Sequence, residues 1–242
     1  MKRIFLPIVS LLLLAGCSST LSWQDQISRK FSGSVEAVNL SGGAYDGQMK
    51  SFYWFTRAMS KPQTASDFVE LPDNAWYKTS YQWQDGTIKE IVREGEMLQS
   101  DQALKPFLVH IRFSTEGEAI YQRYRVNNQV LPLNQNDLNG YAQDASKLVE
   151  TVENLNSQGL KLIQGVWDGQ TFESCDGVQY KNVEFEEASL PIMVKQRLNG
   201  LTSYAAFIGS SNKRSKTVTV ENLLALEKVS HGCIQRSHLI MN

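Results

Sequence analysis

The chain has 242 residues, of which 42% are apolar and 20% charged, with 16 Gly, 6 Pro and a formal charge of −1. This is ordinary globular composition, and it excludes collagen-like, disordered and disulfide-dense mini-protein classes. Lys2 and Arg3 stand at the extreme N-terminus. Without them 22 basic residues face 25 acidic ones, so no cationic surplus points to nucleic acid.

The chain opens MKRIFLPIVSLLLLAGC. Two cations precede an apolar run, Ile4 to Leu14, that is too short to span a bilayer, which needs about 20 apolar residues. Leu14-Ala15-Gly16-Cys17 resembles the lipobox of bacterial lipoproteins. That resemblance implies cleavage before Cys17, which would carry diacylglycerol and a third acyl chain of the palmitate type. Three chains anchor far more firmly than one. Ser18 follows, where the enterobacterial sorting rule has Asp for inner-membrane retention. Ser18 therefore implies outer-membrane delivery, with the folded part facing the periplasm. The expected organisation is a signal peptide at 1–16, an acylated N-terminus and tether at 17–33, and one globular domain at 34–242.

After the tether the apolar period is mostly two, the mark of strands. Phe52-Tyr53-Trp54-Phe55 is a continuous aromatic run, expected as a strand buried on both faces or lining an apolar cavity. Ser60 to Asp73, punctuated by Pro62 and Pro72, is expected as a loop. Tyr77, Thr79, Tyr81 and Trp83 share one face of the next strand, and Asp85-Gly86 is a hairpin signal leading into Ile88 to Arg93. Phe107, Val109, Ile111 and Phe113 lie on one face, which puts His110 and Arg112 on the solvent side. Ile120, Tyr124 and Val126 return after Glu116-Gly117.

From Asn136 to Gln158 the period changes. Leu138, Tyr141, Ala142, Ala145, Leu148, Val149, Val152 and Leu155 recur at helix spacing. Asn136 or Asp137 is the expected N-cap, Gly159 the stop, and Asp144, Lys147, Glu150 and Glu153 the solvated face. Strand pattern resumes at Leu160 to Trp167, Thr171 to Cys175, Val178 to Phe185, Ile192 to Leu198, Tyr204 to Ile208 and Thr217 to Val220. Glu221 to Lys228 is expected as a short helix. The fold class is α+β: a large antiparallel meander, curved or an open barrel, with one main amphipathic helix packed on it.

Cys175 and Cys233 are left once Cys17 is assigned to lipid. In an oxidising compartment an even pair is most simply one disulfide. Three segments, YQWQDGTIKEI at 81–91, VHIRFSTEGEAIYQRYRV at 109–126 and LKLIQGVWDGQTFESCDG at 160–177, together with a Cys close to the end, resemble the YjaH-like lipoproteins of gamma-proteobacteria. That family's domain has no assigned function, so the resemblance implies a periplasm-facing lipoprotein and carries over no activity or ligand. It also favours Cys175 and Cys233 as partners.

Ser230-His231-Gly232-Cys233-Ile234 resembles the active-site segment of L,D-transpeptidases, in which a Cys thiolate activated by His forms an acyl-enzyme. The pattern departs from that family. A second His-Gly element is missing from Asn212 to Lys228, and Gln235 precedes Arg236 where Arg or Asn should come first. Catalysis by Cys233 and His231 is thus an alternative to the main expectation of a non-catalytic interaction or binding module without cofactor. His231, Cys233 and His238 have no recognised zinc spacing, and no metal is expected. Ten aromatics between Tyr45 and Trp83 suit core packing, or a lipid-carrier cavity as the third alternative. The expected partners are the lipid bilayer, through Cys17, and an envelope protein or peptidoglycan.

Overall fold

The computed structural model describes residues 36–185, 202–228 and 231–237. The leader, Cys17, the tether, Ile192 to Leu198 and His238 lie outside the described residues. Every described element belongs to the unit Ala37–Asn242.

Eight strands follow one another as an uninterrupted antiparallel meander: β1 (Val38–Tyr45), β2 (Lys50–Ala58), β3 (Lys61–Glu70), β4 (Trp76–Gln84), β5 (Thr87–Leu98), β6 (Leu104–Phe113), β7 (Ala119–Val126) and β8 (Gln129–Leu131). The helix α1 (Gln135–Ser157) comes next. A second sheet holds β9 (Lys161–Trp167), β10 (Phe172–Ser174), β11 (Gln179–Tyr180), β12 (Asn182–Phe185), β13 (Ser203–Asn212) and β14 (Thr217–Lys228). Its spatial order is β11-β10-β9-β13-β14-β12, and it curls into a nearly closed, barrel-like form. All its pairings are antiparallel except β12 with β14.

The meander carries different partners on its two faces. Tyr53, Phe55, Ala65, Tyr81, Ile91, Val109 and Ile111 point to the helix and pack with Leu138, Ala145, Leu148 and Val152. Phe52, with Trp54 and Phe68 beside it, points the other way, to Leu162, Tyr204, Ala206, Ile208 and Leu224 of the second sheet. The run 52–55 is therefore buried on both faces, and its aromatics fill two cores. The β1 strand is pinched between the same layers. A Cβ on Gly42 would meet Val152 at 3.1 Å, and one on Gly43 would meet Leu224 at 2.8 Å.

Asp85 and Gly86 both have positive φ, as a two-residue hairpin between right-twisted strands requires. The helix starts slightly earlier than its apolar stripe suggests. Asn134, not Asn136 or Asp137, is the N-cap. Its side chain accepts from Asp137 N, and the Asp137 carboxylate accepts from Asn134 N, a reciprocal capping box. Gly159, with φ of 75°, follows the last turn.

Two expected elements are corrected. The expected loop, Ser60 to Asp73, contains strand β3. Pro62 sits beside the register shift between β2 and β3, where its missing N–H is tolerated. The expected helix, Glu221 to Lys228, is the second half of β14. Two register shifts against β13 skip Glu221 and Leu224, and these bulges break the two-residue alternation into helix-like spacing.

Candidate functional site

Two places gather chemistry-bearing side chains. The first lies inside the meander–helix core. On the helix-facing side of three adjacent strands stand Asp67 (β3), Thr79 and Tyr81 (β4) and Arg93 (β5). Tyr81 donates to Asp67 Oδ2 at 2.9 Å. Arg93 donates from Nε to Thr79 Oγ1 at 2.8 Å, and from Nη2 to Tyr81 at 3.1 Å and to Asp144 Oδ2 at 2.8 Å. The guanidinium carbon lies 4.2 Å from the Tyr77 ring centre and 4.8 Å from that of Tyr141. Arg93 thus ties β4 and β5 to the helix from a slot between two tyrosines, and Tyr81 extends the link to Asp67 of β3.

Burial pushes the Asp67 carboxyl up to about 6, although Arg93, Thr79 and Tyr81 pull the other way. Its Oδ1 is buried without a hydrogen-bond partner. Burial also raises the Tyr81 and Tyr77 phenols. Burial works against the Arg93 charge, but Tyr81, Asp67, Tyr77 and Asp144 outweigh it and hold the guanidinium protonated. The cluster is closed over by the helix, so its evident work is to bind sheet and helix together. The face expected to be solvated is partly engaged: Asp144 holds Arg93, and Glu153 holds Arg57 at 3.1 Å. His110, expected on the solvent side, is half-buried on the meander's outer face, with Nε2 at 2.6 Å from Glu90 Oε1 and its ring edge-on to Tyr121.

The second place is the C-terminal segment His231–Ser237. Cys233 is joined to Cys175 by a disulfide, with Cα atoms 6.1 Å apart. A sulfur in that bond is no nucleophile. The His231 ring stacks on Tyr204 at 4.8 Å, and its Nε2 lies 3.4 Å from Glu70 Oε1. Lys50 bridges Glu70 and Glu227 at 3.1 and 3.2 Å next to it. Burial raises the Tyr204 phenol, which donates to Gln164 Oε1 at 2.6 Å.

Gln164 is the centre of this place. Its Oε1 also accepts from Ile234 N at 3.0 Å, and its Nε2 donates to Ile234 O at 3.2 Å. Further on, Arg236 Nη1 donates to Thr56 Oγ1 at 2.8 Å and Nη2 to Thr64 Oγ1 at 2.9 Å. Ser80 donates to Ser237 Oγ at 3.1 Å. The segment therefore runs from the second sheet onto the face of β2, β3 and β4 that is turned away from the helix. Among the described residues no group of three His, Cys, Asp or Glu side chains is placed to hold a metal ion.

The family model described as "Protein of unknown function (DUF1481)" matches residues 41–237. The chain belongs to that family. The DUF1481 match runs from β1 to Ser237 and takes in both half-cystines, Gln164 and the whole terminal segment. A prokaryotic membrane lipoprotein lipid attachment site matches residues 1–18, ahead of the DUF1481 region. No curated protein and no solved structure matches the chain.

Strand phase alone signals the Arg93 cluster, which no short motif marks. Asp67 alternates in step with Ala65 and Val69, and Arg93 with Ile91, so both charges fall on core-facing positions. Nothing in the spacing of Gln164 pointed to Ile234, 70 residues away.

Proposed function

We propose that this is a non-catalytic, YjaH-like envelope lipoprotein: a binding or interaction module held by acylated Cys17 at the outer membrane, facing the periplasm. The lipid attachment site at residues 1–18 supports the anchoring. The observation that carries the non-catalytic part is the Cys175–Cys233 bond, which occupies the one thiol that the transpeptidase-like segment could use. Ser18 after the lipid-bearing position favours the outer membrane.

Two experiments test this. Membranes separated on a density gradient should place the protein in the outer-membrane fractions, and Cys17→Ala should move it to the soluble fraction. Purified protein incubated with peptidoglycan stem peptides should show no acyl adduct on Cys233 by mass spectrometry. An adduct there, or turnover of the peptides, contradicts the non-catalytic assignment.

A further inference from the structure

Residues 232–237 lack regular secondary structure, yet side chains from both sheets seat them. Gln164 clasps the N–H and the C=O of one residue, Ile234. Both groups of a single residue face the same partner only when that residue is extended, as in an antiparallel ladder. A side-chain amide thus does the work of a neighbouring strand and reads backbone, not side chain. The Ile234 side chain packs against the apolar cluster that contains Phe52, Leu162 and Tyr204, with Trp54 and Phe68 at its border.

Two residues on, Arg236 spans to the hydroxyls of Thr56 and Thr64. Among the described residues no carboxylate pairs with it, and burial alone pushes its guanidinium below the ordinary value. Its Nε and the nearby Ser66 hydroxyl are buried without partners. Gln235, between the two inward residues, is exposed. Backbone clasp, apolar seat and polar seat at alternate positions are how an extended peptide is recognised.

The seat is latched at its entrance. Cys175 is exposed in the turn after β10 and bonds to Cys233, the residue before Ile234. While the bond stands, the tail is held beside its seat at high effective concentration, and a competing peptide is excluded.

We propose that this strip is a peptide-binding groove filled by the chain's own tail. Opening of the Cys175–Cys233 disulfide by a dithiol protein frees it for an extended segment of a partner protein. That segment carries an apolar residue and, two positions later, an arginine. In the exchange one thiolate of the dithiol attacks a sulfur of the bond, forming a mixed disulfide and releasing one cysteine thiolate. The second thiol of the dithiol then resolves the mixed disulfide. The dithiol leaves oxidised, and Cys175 and Cys233 are both reduced. This deepens the proposed interaction role and rests on it.

The test uses the full chain in three forms: oxidised, reduced with dithiothreitol, and Cys175→Ser/Cys233→Ser. The probe is a fluorescein-labelled peptide, His-Gly-Ser-Ile-Gln-Arg-Ser, which repeats 231–237 with Ser for Cys. Expected is no saturable binding to the oxidised chain and saturable binding to both opened forms. Replacing the peptide's Arg by Gly, or Gln164→Ala in the chain, should weaken binding tenfold or more. Hydrogen exchange provides the second readout. Reduction should speed exchange of the Ile234 amide at least tenfold more than that of the β2 and β13 amides, whose protection falls only by the global stability lost with the bond.

Equal binding to oxidised and opened chains overturns the latch. Unchanged exchange at Ile234 on reduction overturns it too. Equal acceleration of exchange at Ile234 and in β2 and β13 means that the segment opens only with the whole fold, and overturns the groove. Disulfide-linked dimers on a non-reducing gel would make the occupant a second copy of this chain and overturn the partner assignment. Failure of peptide capture leaves the non-catalytic reading standing, since that reading falls only with a Cys233 adduct or turnover.

Discussion

Replacing Asp67 by Asn should change how stability depends on pH. Asp67 is 4% exposed, and burial raises its folded-state value to about 6 against an ordinary 3.8. Between these two values the folded chain binds more protons than the unfolded chain. The unfolding free energy therefore falls as pH rises through this window, and the loss is complete above the folded value. The two values lie about two pH units apart, at ~1.4 kcal/mol per unit, which sets the loss at no more than about 3 kcal/mol. Asn keeps the shape and an acceptor for Tyr81 but cannot ionise. Asp46, Asp101, Glu116 and Asp168 are held below the ordinary carboxylate range by local hydrogen bonds, and they titrate in both proteins. Subtracting the variant from the parent removes them. The assay is urea unfolding of both proteins at pH 4.5, 5.5, 6.5 and 7.5. The parent-minus-variant difference should fall by about 1–3 kcal/mol from the lowest to the highest pH. A flat or rising difference refutes the assignment of a buried, high-titrating Asp67.

Three further perturbations follow from the same packing. Arg93→Met leaves Asp67 without its guanidinium and cuts the link to Asp144, and should cost about 3–5 kcal/mol in urea unfolding. Asp67→Asn in the same chain should recover part of that cost, so strict additivity in the double-mutant cycle counts against the coupling. Cys233→Ser opens a link between residues 58 apart in sequence and should lower stability by about 4 kcal/mol in the chain-entropy model, leaving a chain that still folds. Its melting temperature should drop by roughly 8–16 °C in calorimetry. Leu148→Ala, at the centre of the helix's buried stripe, should cost about 2–5 kcal/mol, and a loss below ~1 kcal/mol would contradict the packing of helix on meander.

The meander and the helix were legible because their side-chain periods are regular. Hairpin signals such as Asp85-Gly86 mark the strand ends, and the Leu138–Leu155 stripe runs unbroken. What was not legible lies where local pattern and tertiary role diverge. β3 reads as loop because it carries Pro62, and because its core-facing Asp67 is polar; a proline at a register shift and a buried carboxylate held by Tyr81 remove both objections. β14 reads as helix because bulges at Glu221 and Leu224 disturb its alternation. The split into two sheets depends on long-range pairing of β9 with β13. At the C-terminus the cysteine count pointed to the disulfide, but not to what the tail crosses. The seats for Ile234 and Arg236 come from strands 70 to 180 residues earlier, and no local pattern encodes them.

The central claim is a lipid-anchored chain whose terminal thiol is engaged in a disulfide and unavailable for acyl transfer. The most direct test is intact and peptide mass spectrometry of protein purified from the envelope and alkylated with and without prior reduction. The account predicts acylated Cys17, a Cys175–Cys233 linked peptide, and alkylation of both cysteines only after reduction. Rapid alkylation of Cys233 without reduction, in protein that is otherwise folded, would contradict it and return the terminal His-Gly-Cys segment to candidacy as a nucleophile.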